Sequence, residues 1–326
     1  MIKILELFGG IGAPRKALIN LGINHKAIDY VEIDERRVRV YNAMYAKHNK
    51  YAAQSVVGYN LKPDFLIHGS PCQDFSRARL RWGDRDGGEG EKSSLLYETL
   101  KIIENMGVWR PRVVIWENVK GVLDKDMLPA FNDYVAAMDS MGYTTTYDVL
   151  NAMDFGVPQK RERVFAVSRI DGQNFDFTKL KKKAAPGIKE FLVPSSVKEN
   201  HYVTIPSMLN KIPEFYRQTN KSYTRMLDVI DMHCWTITER QDRCPNAGVI
   251  KMSDGRYRYL TEIEVWQLMG FDQEDYERAA KEFPTKKGKR NATLYAMAGN
   301  SIVVPILEAI FAVLLDMEGE ERKVLC

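Results

Sequence analysis

The first dozen residues leave the chain few ways to begin. The apolar run Ile2-Lys3-Ile4-Leu5-Glu6-Leu7-Phe8 passes into Gly9-Gly10-Ile11-Gly12, and Pro14 follows at once. An apolar run of this length bounded by glycines reads as a buried strand. Glycines let the backbone turn sharply and approach a ligand closely. Proline suits the first turn of a helix, where its missing N–H costs nothing. The opening is therefore a strand, a glycine turn and a helix from Pro14 to about Leu21.

The same alternation continues. Ala27 to Ile33 predicts a second strand ending at Glu32-Ile33-Asp34, with a helix through Tyr45. Further strands fit Ser55–Val57, Phe65–His68, Val113–Trp116, Tyr143–Leu150 and Val164–Ser168, with helices at Leu95–Met106 and Met127–Met141. Strands alternating with helices imply an α/β fold with a doubly wound, mostly parallel sheet. This unit covers residues 1–172. Beyond the basic run Lys179-Leu180-Lys181-Lys182-Lys183 the periodicity is poor, and 173–290 reads as a smaller, irregular second domain. Within it Leu260–Met269 is helical, with Thr261 and Glu264 spaced as a capping box. Residues 291–326 return to the first domain. Their apolar helix, Ile302 to about Met317, needs a surface to cover it, and the helix after the glycine turn offers one.

Composition narrows the setting. No run of ~18 apolar residues is present, so no membrane span is expected. Glu6 interrupts the first apolar run too early for a secretory signal. Four cysteines, Cys72, Cys234, Cys244 and Cys326, lack paired spacing, which favours a reducing, cytoplasmic location with neither disulfides nor a structural metal. The net charge of +4 permits a nucleic-acid partner without arguing for one.

Three strand ends carry candidate chemistry, as expected where ligands bind α/β sheets. The glycine turn is followed by Glu32 at the end of the second strand, placed to accept hydrogen bonds from ribose hydroxyls. A dinucleotide-binding loop would need a third glycine at Arg15, so an adenosine cofactor without a diphosphate remains. Pro71-Cys72 after Phe65–His68 holds a thiol at the start of a loop. Trp116-Glu117-Asn118 sets a carboxylate beside an apolar strand, where desolvation raises its pKa and favours proton donation. A helix-capping role for Glu117 is the competing reading. A thiol and such an acid suit attack on an electron-poor ring with protonation of that ring.

With these residues in place the chain resembles the C5-cytosine DNA methyltransferases. The ordered motifs are Leu7-Phe8-Gly9-Gly10-Ile11-Gly12, Glu32, Pro71-Cys72-Gln73, Ser94-Leu95-Leu96-Tyr97 and Glu117-Asn118-Val119. Gln159-Lys160-Arg161-Glu162-Arg163 follows, then Arg258 with Gln267-Leu268-Met269-Gly270-Phe271, and Gly299-Asn300-Ser301-Ile302-Val303. The resemblance covers nearly the whole chain except roughly 173–255. It implies the S-adenosylmethionine-dependent methyltransferase fold and S-adenosyl-L-methionine as cofactor, with S-adenosyl-L-homocysteine as its product. It implies double-stranded DNA as partner, with no membrane and no metal, and a monomer acting on DNA.

The resemblance also assigns residues. Cys72 would add to cytosine C6, Glu117 would assist at N3, and Arg161 and Arg163 would hold the flipped base. The arginine spacing places both on one face of a strand. Phe8, Gly10, Ile11, Gly12, Glu32, Ile33, Asn60, Pro71, Asn300 and Ser301 would line the cofactor site. Asn60, in Gly58-Tyr59-Asn60, stands where the family has Gly-Asp-Ile. DNA contacts would come from the glycine- and arginine-rich stretch after the thiol, through Gln73, Ser76, Arg77, Arg79 and Arg81, which reads as a lid. Arg240, Arg243, Arg258, Lys286 and Lys287 in the second domain would supply more. A tRNA-methylating branch with the same motifs and a catalytically silent DNA-binding relative are the alternatives.

Overall fold

The computed structural model describes residues 1–45, 50–56, 63–70, 94–216 and 226–324. Its centre is a six-stranded sheet. In chain order the elements are β1 (Ile2–Leu7), α1 (Ala13–Asn20), β2 (His25–Val31), α2 (Glu35–Tyr45), β3 (Phe65–His68), α3 (Ser94–Asn105), β4 (Val113–Val119), α4 (Leu128–Ser140) and β5 (Thr144–Asn151). Then come β6 (Gln159–Lys160), β7 (Glu162–Arg169), the one-turn α5 (Pro206–Leu209), β8 (Cys234–Trp235), β9 (Ile250–Lys251) and β10 (Tyr257–Arg258). The chain ends with α6 (Glu262–Gln267), α7 (Gln273–Glu282), α8 (Ala292–Gly299) and α9 (Val304–Val324).

The strand order is β2-β1-β3-β4-β7-β5. The first four strands run parallel and β7 is antiparallel to both its neighbours, so the sheet is mostly parallel. The chain moves from β1 outward to β2, then crosses back to β3 on the other side of β1. That reversal opens a crevice at the carboxyl ends of β1 and β3.

Side-chain alternation explains the layers. Ile4, Phe65, Ile67 and Ile115 belong to one buried cluster with α1, α2 and α9. Leu5, Leu7, Leu66, Val114 and Trp116 face the other way, into a cluster with α3 and α4. Because neighbouring residues of a strand point to opposite faces, strands apolar throughout require cover on both sides. The sheet is doubly wound for that reason.

Past residue 170 the chain is held mainly by turns and short pairings. β6 pairs with β8, and β9 with β10, over two residues each. The capping box forms as expected, with the Thr261 N–H donating to Glu264 at 2.7 Å. α7 lies inside the span expected for the second domain, yet it packs on α2. There Lys16 of α1, nearly buried, reaches both Asp272 and Asp275 at 2.6 Å. α9 packs beside α1, and Asn20 donates to Glu308 at 2.6 Å, as the burial argument predicted. By length and composition Ala292–Leu315 could cross a membrane, but it serves here as a core segment, 61% buried in its most apolar window.

Two sequence expectations need correction. Ser55 and Val56 form no strand, and Val57 lies outside the described residues. The stretch before them is tied to β2 and its end by the Gln54 N–H on the Glu32 carbonyl at 2.9 Å, the Gln54 side chain on the Tyr30 carbonyl at 3.0 Å and the Tyr51 hydroxyl on the Ala27 carbonyl at 3.2 Å. β4 also does not stop at Trp116. Its pairing with β7 continues to Val119, so Glu117 sits within the strand.

Candidate active site

The crevice at the strand ends is a cleft of about 510 Å³. Its floor and one wall come from the glycine loop and β2. Phe8 and Gly10 line it, and Phe8 has φ 54, the sole positive value at a non-glycine residue among those described. A phenylalanine held in the left-handed region needs surroundings that fix it there. Glu32 supplies part of that restraint. Its carboxylate accepts from the Gly10 N–H at 3.0 Å and the Asp34 N–H at 3.0 Å, and Arg37 approaches at 3.3 Å. Next to it Ile33 is 73% exposed and lines the cleft, an apolar side chain left open at a ligand-sized hollow.

The opposite wall carries Glu117, Arg161 and Arg163. Across the β4–β7 ladder Arg163 is the partner of Val119, two residues from Glu117 on the same face. That diagonal places Arg163 Nε 3.3 Å from Glu117 Oε1. Burial raises the Glu117 pKa, while Arg163 and then Arg161 pull the other way. The carboxyl is thus biased toward its protonated form with a cation at hand to limit the bias.

Arg161 does something different from Arg163. It lies in the break between β6 and β7, not on a strand face, and is 3% exposed. Its guanidinium donates to the carbonyls of Ile237 at 2.9 Å, Gly299 at 3.3 Å and Ser301 at 2.9 Å. Three chain segments are tied there, and that brings Asn300 to the cleft wall. Gly299 is needed for the closure: a Cβ on it would lie 2.3 Å from the Thr238 carbonyl carbon.

Of the expected cofactor residues, Phe8, Gly10, Glu32, Ile33 and Asn300 meet in this cleft. Ile11 instead points into the core, 1% exposed, and Gly12 and Ser301 do not line the cleft. Asn60, Pro71, Cys72, Gln73, Ser76, Arg77, Arg79 and Arg81 lie outside the described residues. The chain leading to them is anchored: Gly69 and Ser70 line the cleft, and Asn118 donates to the Ser70 carbonyl at 3.2 Å. Arg240, Arg243, Lys286 and Lys287 are exposed. Arg258 is not a surface cation. It is 2% exposed and holds both oxygens of Glu264, at 2.7 and 2.9 Å, so it braces the start of α6 and cannot reach DNA.

Sequence reasoning missed Arg37 and Gln54. Gln54 reaches the Tyr30 carbonyl at 3.0 Å and lines the cleft, although nothing in its sequence neighbourhood marks it. It also missed Glu6 and the tyrosines beneath the loop, for which a carboxylate in an otherwise apolar strand was an available signal.

Comparison with known proteins decides the family. The model of the C-5 cytosine-specific DNA methylases matches residues 2–316. The chain belongs to that family. It is a DNA (cytosine-5)-methyltransferase. A type II methyltransferase of Lactococcus lactis subsp. cremoris, M2.ScrFI, is 28% identical over 370 residues, covering 95% of this chain and 98% of the relative. An orphan methyltransferase of Bacillus phage SPbeta, M.SPBetaI, is 25% identical over 96% of this chain and 97% of its own length. The Dnmt2 methyltransferase of S. pombe superposes with a TM-score of 0.76 at 19% identity, over 97% of this chain and 99% of that one. That likeness concerns the fold alone.

Proposed function

We propose that this methylase binds S-adenosylmethionine at the Gly10–Glu32 end of the cleft and methylates C5 of a cytosine flipped out of duplex DNA. The cytosine would be held at the Glu117–Arg163 end. The residues present suit the cofactor. Glu32 is a fixed carboxylate for ribose hydroxyls, Phe8 and Ile33 offer apolar surface to a base, and Gly10 lets the backbone come close. When bound, S-adenosylmethionine supplies the electrophilic methyl carbon that C5 takes.

The protein's own work is to make C5 nucleophilic. Cys72 is assigned as the thiolate that adds to C6. Glu117, biased toward its acid form, donates a hydrogen bond or a proton at N3 and so stabilises charge pushed into the ring. Arg163 is the better placed of the two arginines to face cytosine O2, since Arg161 is spent on three carbonyls. Loss of the C5 proton and departure of the thiolate then free 5-methylcytosine. The flipped base leaves the duplex because C6 is inaccessible while stacked. Arg240 and Arg243 belong to a segment packed on Gly299 at the cleft rim, where Glu239 meets Asn300 at 3.4 Å. They are assigned to the DNA face, with Lys286 and Lys287 as phosphate contacts.

The observation carrying this reading is that one cleft joins Gly10 and Glu32 to Glu117 and Arg163, with Ser70 on its wall. Cys72 follows Ser70 by two residues, a covalent reach of at most ~7 Å. Duplex DNA containing 5-fluorocytosine tests it, because fluorine at C5 cannot leave and the covalent adduct persists. The wild-type protein with S-adenosylmethionine should form a stable adduct, Cys72→Ser should not, and Cys234→Ser and Cys244→Ser should behave as wild type. An adduct from Cys72→Ser would overturn the assignment.

A further inference from the structure

We infer that Tyr30 and Tyr45, with Tyr41 between them, are positioning residues that set the glycine loop for S-adenosylmethionine; the inference rests on the cofactor reading above. The two poles of Gly10 are held from β2. Its N–H donates to Glu32 at 3.0 Å, and its carbonyl accepts from the Tyr30 hydroxyl at 2.5 Å. Tyr30 and Glu32 are two residues apart and so share a side of the extended chain. At the far end of the loop the Tyr45 hydroxyl donates to the Gly12 carbonyl at 3.2 Å. The loop therefore rests on two hydroxyls and a carboxylate, with Phe8 strained at its start.

The rings form the surface beneath. A Cβ on Gly9 would lie 2.5 Å from the Tyr30 ring, and one on Gly12 would lie 2.6 Å from the rings of both Tyr41 and Tyr45. Tyr41 stacks on Tyr30 at a centroid distance of 3.7 Å and meets Tyr45 edge-on at 5.0 Å. Its hydroxyl turns away from the loop, donating to Glu6 and accepting from Arg15 at 3.2 Å. Glycine here is a packing requirement: the loop lies directly on aromatic faces.

Packing alone does not explain the hydroxyls. Phenylalanine would fill the same space without the cost of burying a polar group. Two of the three hydroxyls on this floor are spent on loop carbonyls, and burial raises the pKa of each, so they stay protonated donors. Tyr51 supplies an internal comparison. It packs edge-on against both Tyr30 and Tyr41, but its hydroxyl donates to the Ala27 carbonyl at 3.2 Å, away from the loop.

The test removes one hydroxyl at a time: Tyr30→Phe, Tyr45→Phe and Tyr51→Phe in the full-length protein. Calorimetry measures S-adenosylmethionine and S-adenosylhomocysteine binding, steady-state kinetics separates KM from kcat, and thermal unfolding checks the fold. Tyr30→Phe and Tyr45→Phe should each weaken cofactor binding and raise its KM by ~5–10-fold, as expected for one lost hydrogen bond. Their kcat and their affinity for duplex DNA without cofactor should stay within ~2-fold, and Tyr51→Phe should bind cofactor as wild type does. Wild-type cofactor affinity in both Tyr30→Phe and Tyr45→Phe would overturn the inference. So would an equal loss in Tyr51→Phe, which would point to general loosening. Failure of the wild-type protein to bind either ligand would instead overturn the cofactor reading itself.

Discussion

Glu6 offers a sharp test of the energetics beneath the glycine loop. It is the next-to-last residue of β1, fully buried, with Tyr41 donating to one oxygen and no hydrogen bond to the other among the described residues. Burial lifts its pKa from 4.5 to about 7, opposed by Tyr41 and Arg15. A carboxyl whose pKa is higher folded than unfolded favours folding while it is protonated. That contribution is complete below the unfolded value and is lost as pH rises from 4.5 to about 7. At 1.36 kcal/mol per unit, the difference amounts to ~3 kcal/mol across the window. The surrounding groups do not titrate there. The pKa values of Tyr30, Tyr41, Tyr45 and Tyr51 are raised, and that of Arg15 is raised as well. His25, also close to Arg15, is present in both proteins and cancels in a difference. Glu6→Gln keeps the shape and an acceptor for Tyr41 but cannot ionise. Denaturant unfolding at a series of pH values from 4.5 to 8 should show the variant gaining on wild type by ~2–3 kcal/mol as pH rises. A constant difference across the series, or one that moves the other way, would refute this account of the buried carboxyl.

Two further outcomes follow from named contacts. Glu117→Gln should lower turnover by ~10²-fold or more while leaving cofactor affinity unchanged. Since burial raises the Glu117 pKa, wild-type kcat should fall on the alkaline side as the proton is lost, and that limb should be missing from the variant; unchanged turnover at saturating cofactor would leave Glu117 a structural residue. Lys16→Met leaves Asp275, 8% exposed, without its cation. A loss of ~3 kcal/mol in unfolding free energy is expected, at the low end for a broken buried pair because Asp272 is 56% exposed, and an unchanged value would show that α7 does not depend on this contact.

Much of the frame could be read from the chain because it depends on local rules. Apolar runs too long to leave one face wet demanded a covered sheet, and Ile2–Leu7, Phe65–His68 and Val113–Val119 take their places in it. Thr261 and Glu264 announced the start of a helix by spacing alone. What the chain concealed depends on partners distant in sequence. Arg258 looked like a surface cation until Glu264 occupied its guanidinium. Arg161 and Arg163 share a spacing, but a break in the strand sends one to three carbonyls and leaves the other beside Glu117. Ser55 and Val56 carry β propensity, yet they form no strand, and the stretch before them is tied to β2 mainly through the side chains of Tyr51 and Gln54.

The two ends of the cleft are therefore built by different means. The Gly10–Glu32 end comes from one stretch, β1 to the end of α2, and its contacts are short in sequence: Tyr30 and Glu32 on Gly10, Tyr45 on Gly12. Such an end needs only β1, β2 and α2 to come together. The Glu117–Arg163 end needs β4 and β7 in register, and its rim needs Arg161 to gather Ile237, Gly299 and Ser301 from the far part of the chain. Long loops must close before those contacts return any energy. A change in the last quarter of the chain should thus reach the chemistry through the rim, loosening Asn300 and the segment on Gly299, while the floor under Gly10 keeps its local supports. Family membership can be read from both ends together. The proposed placement of a base against Glu117 would depend on the end that forms from afar.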